Sequence, residues 1–245
     1  SKGIGRALAE AFLEEGAEVT LVARDPVQLE ETRIALDACW PGRVAVRAAD
    51  LSHAEDRVAL AEAVGVPDVL VNNAGAIRAG RLRDLEIADI ESDWALKVFG
   101  YIHLCQLFQP GMAARGSGTM VNVIGMGGRA NRASYISGSA ANAALIAFTQ
   151  ALGAEAQGEG LRVFGINPSP TLTDRMTDFM KRKAEAELGD AARWSEMVEP
   201  ARFPYGRPAD PGEVAALAVM LASPRVGYLN GTVIDMDGGG QWTGT

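Results

Sequence analysis

The sequence predicts a doubly wound α/β domain, a parallel sheet covered by helices on both faces, and three observations carry that prediction. Apolar runs of strand length alternate with amphipathic stretches of helix length. One of these runs, Asp68 to Asn72, is continuously apolar between its ends, as a strand buried on both faces requires. The chain has 245 residues, 48% of them hydrophobic, enough for one large core.

The elements follow in order. Glu18 to Ala23 reads as a strand, and Asp25 before Pro26 reads as the N-cap and first position of a helix. Val44 to Ala48 is the next strand, Ala54 to Val64 a helix, and Asp68 to Asn72 the third strand. A long helix to about Gln109, a strand from Thr119 to Ile124, a helix to about Gln157 and a strand from Leu161 to Ile166 come next. Residues 171–205 form the longest irregular stretch, with Met176, Phe179 and Met180 at helical spacing, then Trp194, Met197 and Phe203. Asp210, followed by Pro211 and Glu213, caps a last helix to Leu221, and Thr232 to Met236 closes as a strand. Residues 1–245 are therefore expected to form a single domain. The doubly wound pattern calls for one more strand feeding the first helix, so roughly a dozen residues are expected ahead of Ser1, at ~5 to 6 residues per strand plus a turn.

Composition excludes several classes. With 31 acidic and 23 basic residues the net charge is -8, and no Lys or Arg run offers a footprint for nucleic acid or an anionic membrane. No apolar run approaches the ~20 residues that span a bilayer. Cys39 and Cys105 sit in apolar segments and are expected as reduced core residues of a cytoplasmic protein. His53 and His103 lack metal-ligand spacing, so no metal is expected and both read as packed or interfacial histidines.

The chemistry-bearing stretches begin at Ser1-Lys2-Gly3-Ile4-Gly5, which runs into a helix. Its glycines let backbone approach a pyrophosphate, and a helix N-terminus supplies free N–H donors. Asp50 and Leu51 follow the second strand. Asn72-Asn73-Ala74-Gly75 follows the third. Asn167 through Thr173, including Pro168, Ser169 and Thr171, follows the fifth, and Asp235 to Gly239 lies near the end. Together these resemble the short-chain dehydrogenase/reductase family over nearly the whole chain. The matched elements are the end of its Thr-Gly-x-x-x-Gly-x-Gly loop, the Asp beside adenine, the Asn-Asn-Ala-Gly motif, the Pro-Gly-x-x-x-Thr segment with Ser169 for Gly, and the C-terminal signature. The resemblance implies a single Rossmann-type domain binding a nicotinamide cofactor, with residues 171–205 as substrate lid. Charge favours NADP(H) over NAD(H): the position where NAD binders keep an acid is Ala23, and Arg24 and Lys2 stand ready for a 2'-phosphate.

The family's catalytic Ser, Tyr and Lys are where the resemblance fails. Equating Tyr135 with that Tyr demands three extra residues inside the following helix, which turns it by about 300° and lengthens it by ~4.5 Å. A gap-free alignment keeps Leu145, Phe148 and Leu152 facing the core, and it places Gly125, Gly138 and Asn142 at the Ser, Tyr and Lys positions. Lys97 then stands at the family's helix-four Asn position. Lys and Asn have changed places, and because the family bridges these side chains through water, the exchange would return an ammonium to the same volume. Tyr135, one turn before the vacated Tyr position, is the expected acid/base if its backbone is still loop. Ser134, Ser137 and Ser139 are possible oxygen-holding donors, and Tyr101 a weaker alternative to Tyr135.

The expected activity is an NADP(H)-dependent dehydrogenase or reductase interconverting a hydroxyl and a carbonyl on a small hydrophobic substrate, with Tyr135, Lys97 and Asn142 as the catalytic set. Two alternatives are open: a cofactor-binding protein without turnover, regulatory or structural, or a non-redox reaction on the same scaffold. Family members mostly pair through helices four and five and the C-terminal tail, which implies a homodimer or homotetramer.

Overall fold

The structure, a computed structural model, describes residues 2–240. Six strands alternate with eight α-helices: α1 (Gly3–Glu14), β1 (Val19–Ala23), α2 (Pro26–Asp37), β2 (Val44–Ala48), α3 (Ala54–Val64), β3 (Val69–Asn72), α4 (Ile87–Trp94), α5 (Gly100–Arg115), β4 (Gly118–Val123), α6 (Ile136–Ala156), β5 (Leu161–Pro168), α7 (Asp174–Leu188), α8 (Pro211–Ala222) and β6 (Thr232–Met236). All pairings are parallel. β2 lies beside β1 in one sheet, and β3, β4, β5 and β6 lie side by side in a second.

The fold class is the expected one, but the sheet is divided. Among the described residues no strand joins β1 to β3, and Val69, Leu70 and Val71 are only half-buried, as expected of an edge that lacks a ladder partner.

Strand alternation sends side chains to two cores. Met120, Leu161 and Val163 pack with Leu60, Leu104, Phe108, Met112 and Leu152 from α3, α5 and α6. Val121, Val123, Phe164 and Ile166 pack on the opposite face with Leu8 of α1 and Val214, Ala218 and Leu221 of α8. β4 and β5 are thus buried by helices on both faces, and the C-terminal ends of the strands are left to carry chemistry.

Local signals set the helix boundaries. The Asp25 carboxylate accepts from the backbone N–H of Val27 (3.0 Å) and Gln28 (3.1 Å), starting α2. Asp210 and Glu213 form a reciprocal capping box at α8. Three expectations change. The long helix to Gln109 is broken by a five-residue π turn, Ala95–Phe99, between α4 and α5. The stretch 171–205 is less irregular than expected, holding the 15-residue α7 and two 3-10 segments. Cys39 is exposed at the end of α2 rather than in the core, because Leu29, Thr32 and Leu36 form that helix's buried stripe; Cys105 is buried as expected. No helix among the described residues is long and apolar enough to cross a membrane.

Candidate active site

The C-terminal ends of β3, β4 and β5 meet the N-terminus of α1 and the start of α7, and the sequence-predicted residues fall into two groups there. Ser1 lies outside the described residues.

The first group surrounds the N-terminus of α1. Gly3 has φ +53°, in the region that favours glycine, and a Cβ there would stand 3.1 Å from the Thr173 methyl. A Cβ on Gly5 would stand 2.9 Å from the Asn73 amide nitrogen. The packing therefore assembles Gly3, Ile4, Gly5, Asn73 and Thr173 from three separate stretches. Lys2 offers no side-chain cap, and the first turn of α1 holds no acid. The first N–H groups of this helix are thus available to an anion, which is the feature a pyrophosphate requires.

Around that core, Arg24 and Lys2 are exposed, and the Arg24 charge reaches Asp50. Asp50 accepts from the Ser52 backbone N–H (3.0 Å) and hydroxyl (2.7 Å), both on one oxygen. Leu51 sends its side chain into the core, and its carbonyl accepts from Arg57 at 2.6 Å. The loop after β5 is held on both sides. Ser169 N–H donates to Met236 at 3.0 Å, the Thr171 hydroxyl donates to the Ser169 carbonyl at 2.8 Å, and Leu172 N–H donates to Ala209 at 2.8 Å. Thr171 is thereby a loop-holding residue, its hydroxyl already engaged. Thr173 caps α7, accepting from Met176 N–H at 3.4 Å.

The second group is built around the turn after β4. Lys97 sits in the π turn, buried, and its ammonium donates to the Ile124 carbonyl at 2.6 Å. Its stem lies on Gly75, where a Cβ would stand 3.0 Å from the Lys97 Cβ. Asn142, on α6, donates to the next carbonyl, that of Gly125, at 3.4 Å, while its Oδ1 is buried without a donor. Lys97 and Asn142 therefore converge on consecutive carbonyls. Gly125 has φ +120° and ψ 150°, a conformation that L side chains rarely adopt, so a side chain placed there would be strained.

Tyr135 is the N-cap residue of α6, with φ −141° and ψ 38°, so its backbone is outside the helix. The chain there is tied by Gly80 N–H donating to Ser134 O at 2.8 Å. Its ring covers Gly138: a Cβ at that position would stand 2.0 Å from the Tyr135 Cζ. A Cβ on Gly127 would meet both Tyr135 Cε1 at 2.9 Å and Asn142 Nδ2 at 3.0 Å. Tyr135, Asn142 and Lys97 thus gather on one glycine-rich turn, and the space of the missing side chain at 138 is filled by the ring from 135.

Charge shapes this group. Burial, with the Arg175 charge adding to it, brings the Lys97 ammonium down to about 8. Burial raises the Tyr135 phenol; Arg175 opposes that rise and Asp93 adds to it. The other candidates are structural. The Tyr101 hydroxyl donates to Val123 O at 3.1 Å in the core, and burial raises its phenol. Ser137 accepts from the Trp94 indole at 3.0 Å, Ser139 accepts from Arg132 N–H at 3.4 Å, and Ser134 is exposed. His103 accepts from Arg57 Nε at 2.9 Å and is lowered by burial and by that cation, a packed histidine as expected.

Sequence reasoning missed Gly127 and Arg175. The run Gly125-Met126-Gly127-Gly128 was the available sign of a turn pressed against a helix, and Arg175, two residues past Thr173, was the available sign of a cation at the first turn of α7.

Residues 1–241 match a family model described as enoyl-(acyl carrier protein) reductase. Galactitol 2-dehydrogenase (L-tagatose-forming) of Cereibacter sphaeroides is 33% identical over 239 residues, 97% of this chain and 90% of its own length. The crystal structure of L-sorbose reductase from Gluconobacter frateurii, complexed with NADPH and L-sorbose, superposes with a TM-score of 0.90 at 30% identity, covering 97% of this chain and 92% of that one. The NADPH-bound short-chain oxidoreductase of Pseudomonas aeruginosa PAO1, described as containing an atypical catalytic center, superposes with a TM-score of 0.86 at 30% identity, covering 97% and 92%. With this fold, these nucleotide-side motifs and a family match over nearly its full length, the chain belongs to the short-chain dehydrogenase/reductase superfamily of oxidoreductases.

Proposed function

We propose that this protein is an NADP(H)-dependent oxidoreductase of the CH–OH class that interconverts a hydroxyl and a carbonyl on a small substrate with a largely apolar body. Tyr135, Lys97 and Asn142 form its catalytic set. The observation that carries this reading is the convergence of Lys97 and Asn142 on the consecutive carbonyls of Ile124 and Gly125, with the Tyr135 ring against the same turn.

The residues that would hold the cofactor are Ser1 to Gly5 at the pyrophosphate, Lys2 and Arg24 at the 2'-phosphate, and Asp50 and Leu51 at adenine. Asn73, Ala74, Gly75, Pro168, Ser169, Thr171 and Thr173 serve the nicotinamide half. When bound, the cofactor supplies or accepts the hydride. The Tyr135 hydroxyl binds the substrate oxygen and carries its proton. Lys97, its proton affinity brought near neutrality by burial, exchanges that proton with solvent. Asn142 offers its donor-less Oδ1 to a water or hydroxyl on this path. The sugar and polyol chemistry in the names of two relatives supports the hydroxyl/carbonyl reaction, and the NADPH-bound neighbours support the cofactor. Residues 1–245 act as one domain with 171–205 as lid, in a cytoplasmic homodimer or homotetramer.

One observation favours the competing reading of a cofactor binder without turnover: the Tyr135 phenol is held up by burial rather than lowered by a close lysine. NADPH consumption over a panel of ketones, aldehydes and ketoses decides between them. Turnover that is lost in Lys97→Ala supports the catalytic reading; tight NADPH binding with no turnover of any substrate overturns it.

A further inference from the structure

The helix that follows Tyr135 starts without a cap of its own. Tyr135 stands at the N-cap position of α6 and its side chain makes no capping bond, so the first N–H groups of that helix need acceptors from elsewhere. Gly80, in the loop after β3, supplies one. The Ile136 N–H donates to the Gly80 carbonyl at 3.4 Å, and the Gly80 N–H donates to the Ser134 carbonyl at 2.8 Å. This parallel bridge grips the chain on either side of Tyr135, whose backbone it holds outside the helix. The loop is packed closely at that point, where a Cβ on Gly80 would stand 2.8 Å from the Leu85 Cδ2.

The anchors of this segment come from the C-terminal end of α4. Asp93 accepts from the Arg78 N–H at 2.9 Å, two residues before Gly80, and the Arg78 guanidinium contacts both Asp93 and Asp89 on the same helix. Trp94, the next residue, donates its indole N–H at 3.0 Å to the hydroxyl of Ser137, a buried residue in the first turn of α6. Trp94 and Tyr135 also pack against one cluster of Ile77, Val98 and Ala141. Two adjacent residues of α4 thus hold the chain around Tyr135, Asp93 through Arg78 and Gly80, and Trp94 through Ser137. The π turn that carries Lys97 begins at Ala95, immediately after them.

We propose that Asp93 and Trp94 are positioning residues for Tyr135, so that one helix end sets where the Tyr135 ring stands relative to Lys97. This rests on the reading above of Tyr135 and Lys97 as the groups that carry the proton. Asp93 and Trp94 take no part in the bond changes and act only through Arg78, Gly80 and Ser137. Each of these hydrogen bonds contributes little to stability, whereas a reacting group displaced by ~1 Å can lose about 100-fold in rate. Their loss should therefore fall on turnover more than on folding.

The test uses the full chain and reads the ring directly. With 3-fluorotyrosine in place of the four tyrosines, the Tyr135 fluorine resonance is the one missing from Tyr135→Phe. Ser137→Ala removes the Trp94 acceptor without altering any ring. It should shift the Tyr135 resonance and lower kcat by about 10- to 100-fold, with KM and the NADPH Kd little changed and folding retained by circular dichroism. Trp94→Phe, which keeps an aromatic ring and loses the N–H, should lower kcat by the same factor, and the double variant by no more than either single change. Asp93→Ala should also shift the resonance and lower kcat, and Asp93→Asn, which keeps an oxygen for the Arg78 N–H, should recover part of the loss. A Tyr135 resonance unmoved in both Ser137→Ala and Asp93→Ala, multiplied losses in the Trp94 and Ser137 double variant, or a loss of NADPH affinity as large as the loss of kcat overturns the proposal. Because the resonance is read without turnover, a Tyr135 signal that moves in Ser137→Ala while the wild type turns over no substrate leaves the positioning standing and counts against the catalytic reading instead.

Discussion

The two halves of the site were built in different ways. On the nucleotide half, Gly3, Gly5, Asn73 and Thr173 come together at the N-terminus of α1, the two glycines letting Thr173 and Asn73 approach closely. On the reaction half Gly125, Gly138 and Asn142 stand where the resemblance expects Ser, Tyr and Lys, and in the function proposed above their roles fall to neighbours: Lys97 comes from the π turn between α4 and α5, and the Tyr135 ring, from three residues earlier, covers Gly138. Backbone-mediated sites tolerate little relocation, because a glycine is needed where a close approach or a positive φ occurs. Side-chain chemistry can move, since a long lysine or tyrosine can reach one volume from several starting points.

Lys97→Ala gives the sharpest way to break that contrast. If the ammonium has moved to position 97, kcat should fall by about 100-fold or more, the usual range for a general acid or base, with folding retained by circular dichroism. Unchanged kcat would return the reaction half to an unoccupied motif.

The pH dependence sharpens the same point. Lys97 is lowered from 10.5 to about 8, so the folded state disfavours its charged form. Between those values the unfolded chain binds more protons than the folded one, and stability rises with pH across that window. Below about 8 the cost is fully present, on the order of 3 kcal/mol from a shift of this size. Denaturant melts from pH 7 to 10.5 should show this rise in the wild type, and Lys97→Met should lack it.

Adding a side chain at Gly138 tests whether the Tyr135 ring occupies that space. Gly138→Ala puts a Cβ 2.0 Å from the Tyr135 Cζ and should lower stability by about 1–3 kcal/mol, the range of overpacking. Adding Tyr135→Ala should recover part of that loss, and strictly additive effects would show that the ring and the glycine are uncoupled. Gly125→Ser, which puts a side chain at φ +120°, should cost about 1–3 kcal/mol of backbone strain without raising turnover.

On the nucleotide half the expected effect is smallest. Arg24→Ala should weaken NADPH by about 10-fold, the low end for one lost charge-assisted contact, and leave NADH unchanged. An equal loss for both cofactors would place Arg24 away from the 2'-phosphate.

Much of this molecule was legible in the order of its residues. Strand positions followed from apolar runs, and the starts of α2 and α8 from Asp25 and Asp210, because these depend on groups within a few residues of one another. The glycine turn that enters α1 was legible for the same reason, its glycines lying in one short motif. The reciprocal placement of Lys97 and Asn142 was also open to expectation, since both sit on helices whose register the apolar stripe defines. Their meeting on adjacent carbonyls was not. Helix spacing says which face a residue occupies, yet the π turn that aims Lys97, the loop conformation that frees Tyr135 from α6 and the approach of α7 are settled only by packing between elements far apart in the chain. Local hydrogen bonding and polarity wrote the scaffold into the sequence; the pairing of charges across the site is a distance in space, and only the tertiary structure decides it.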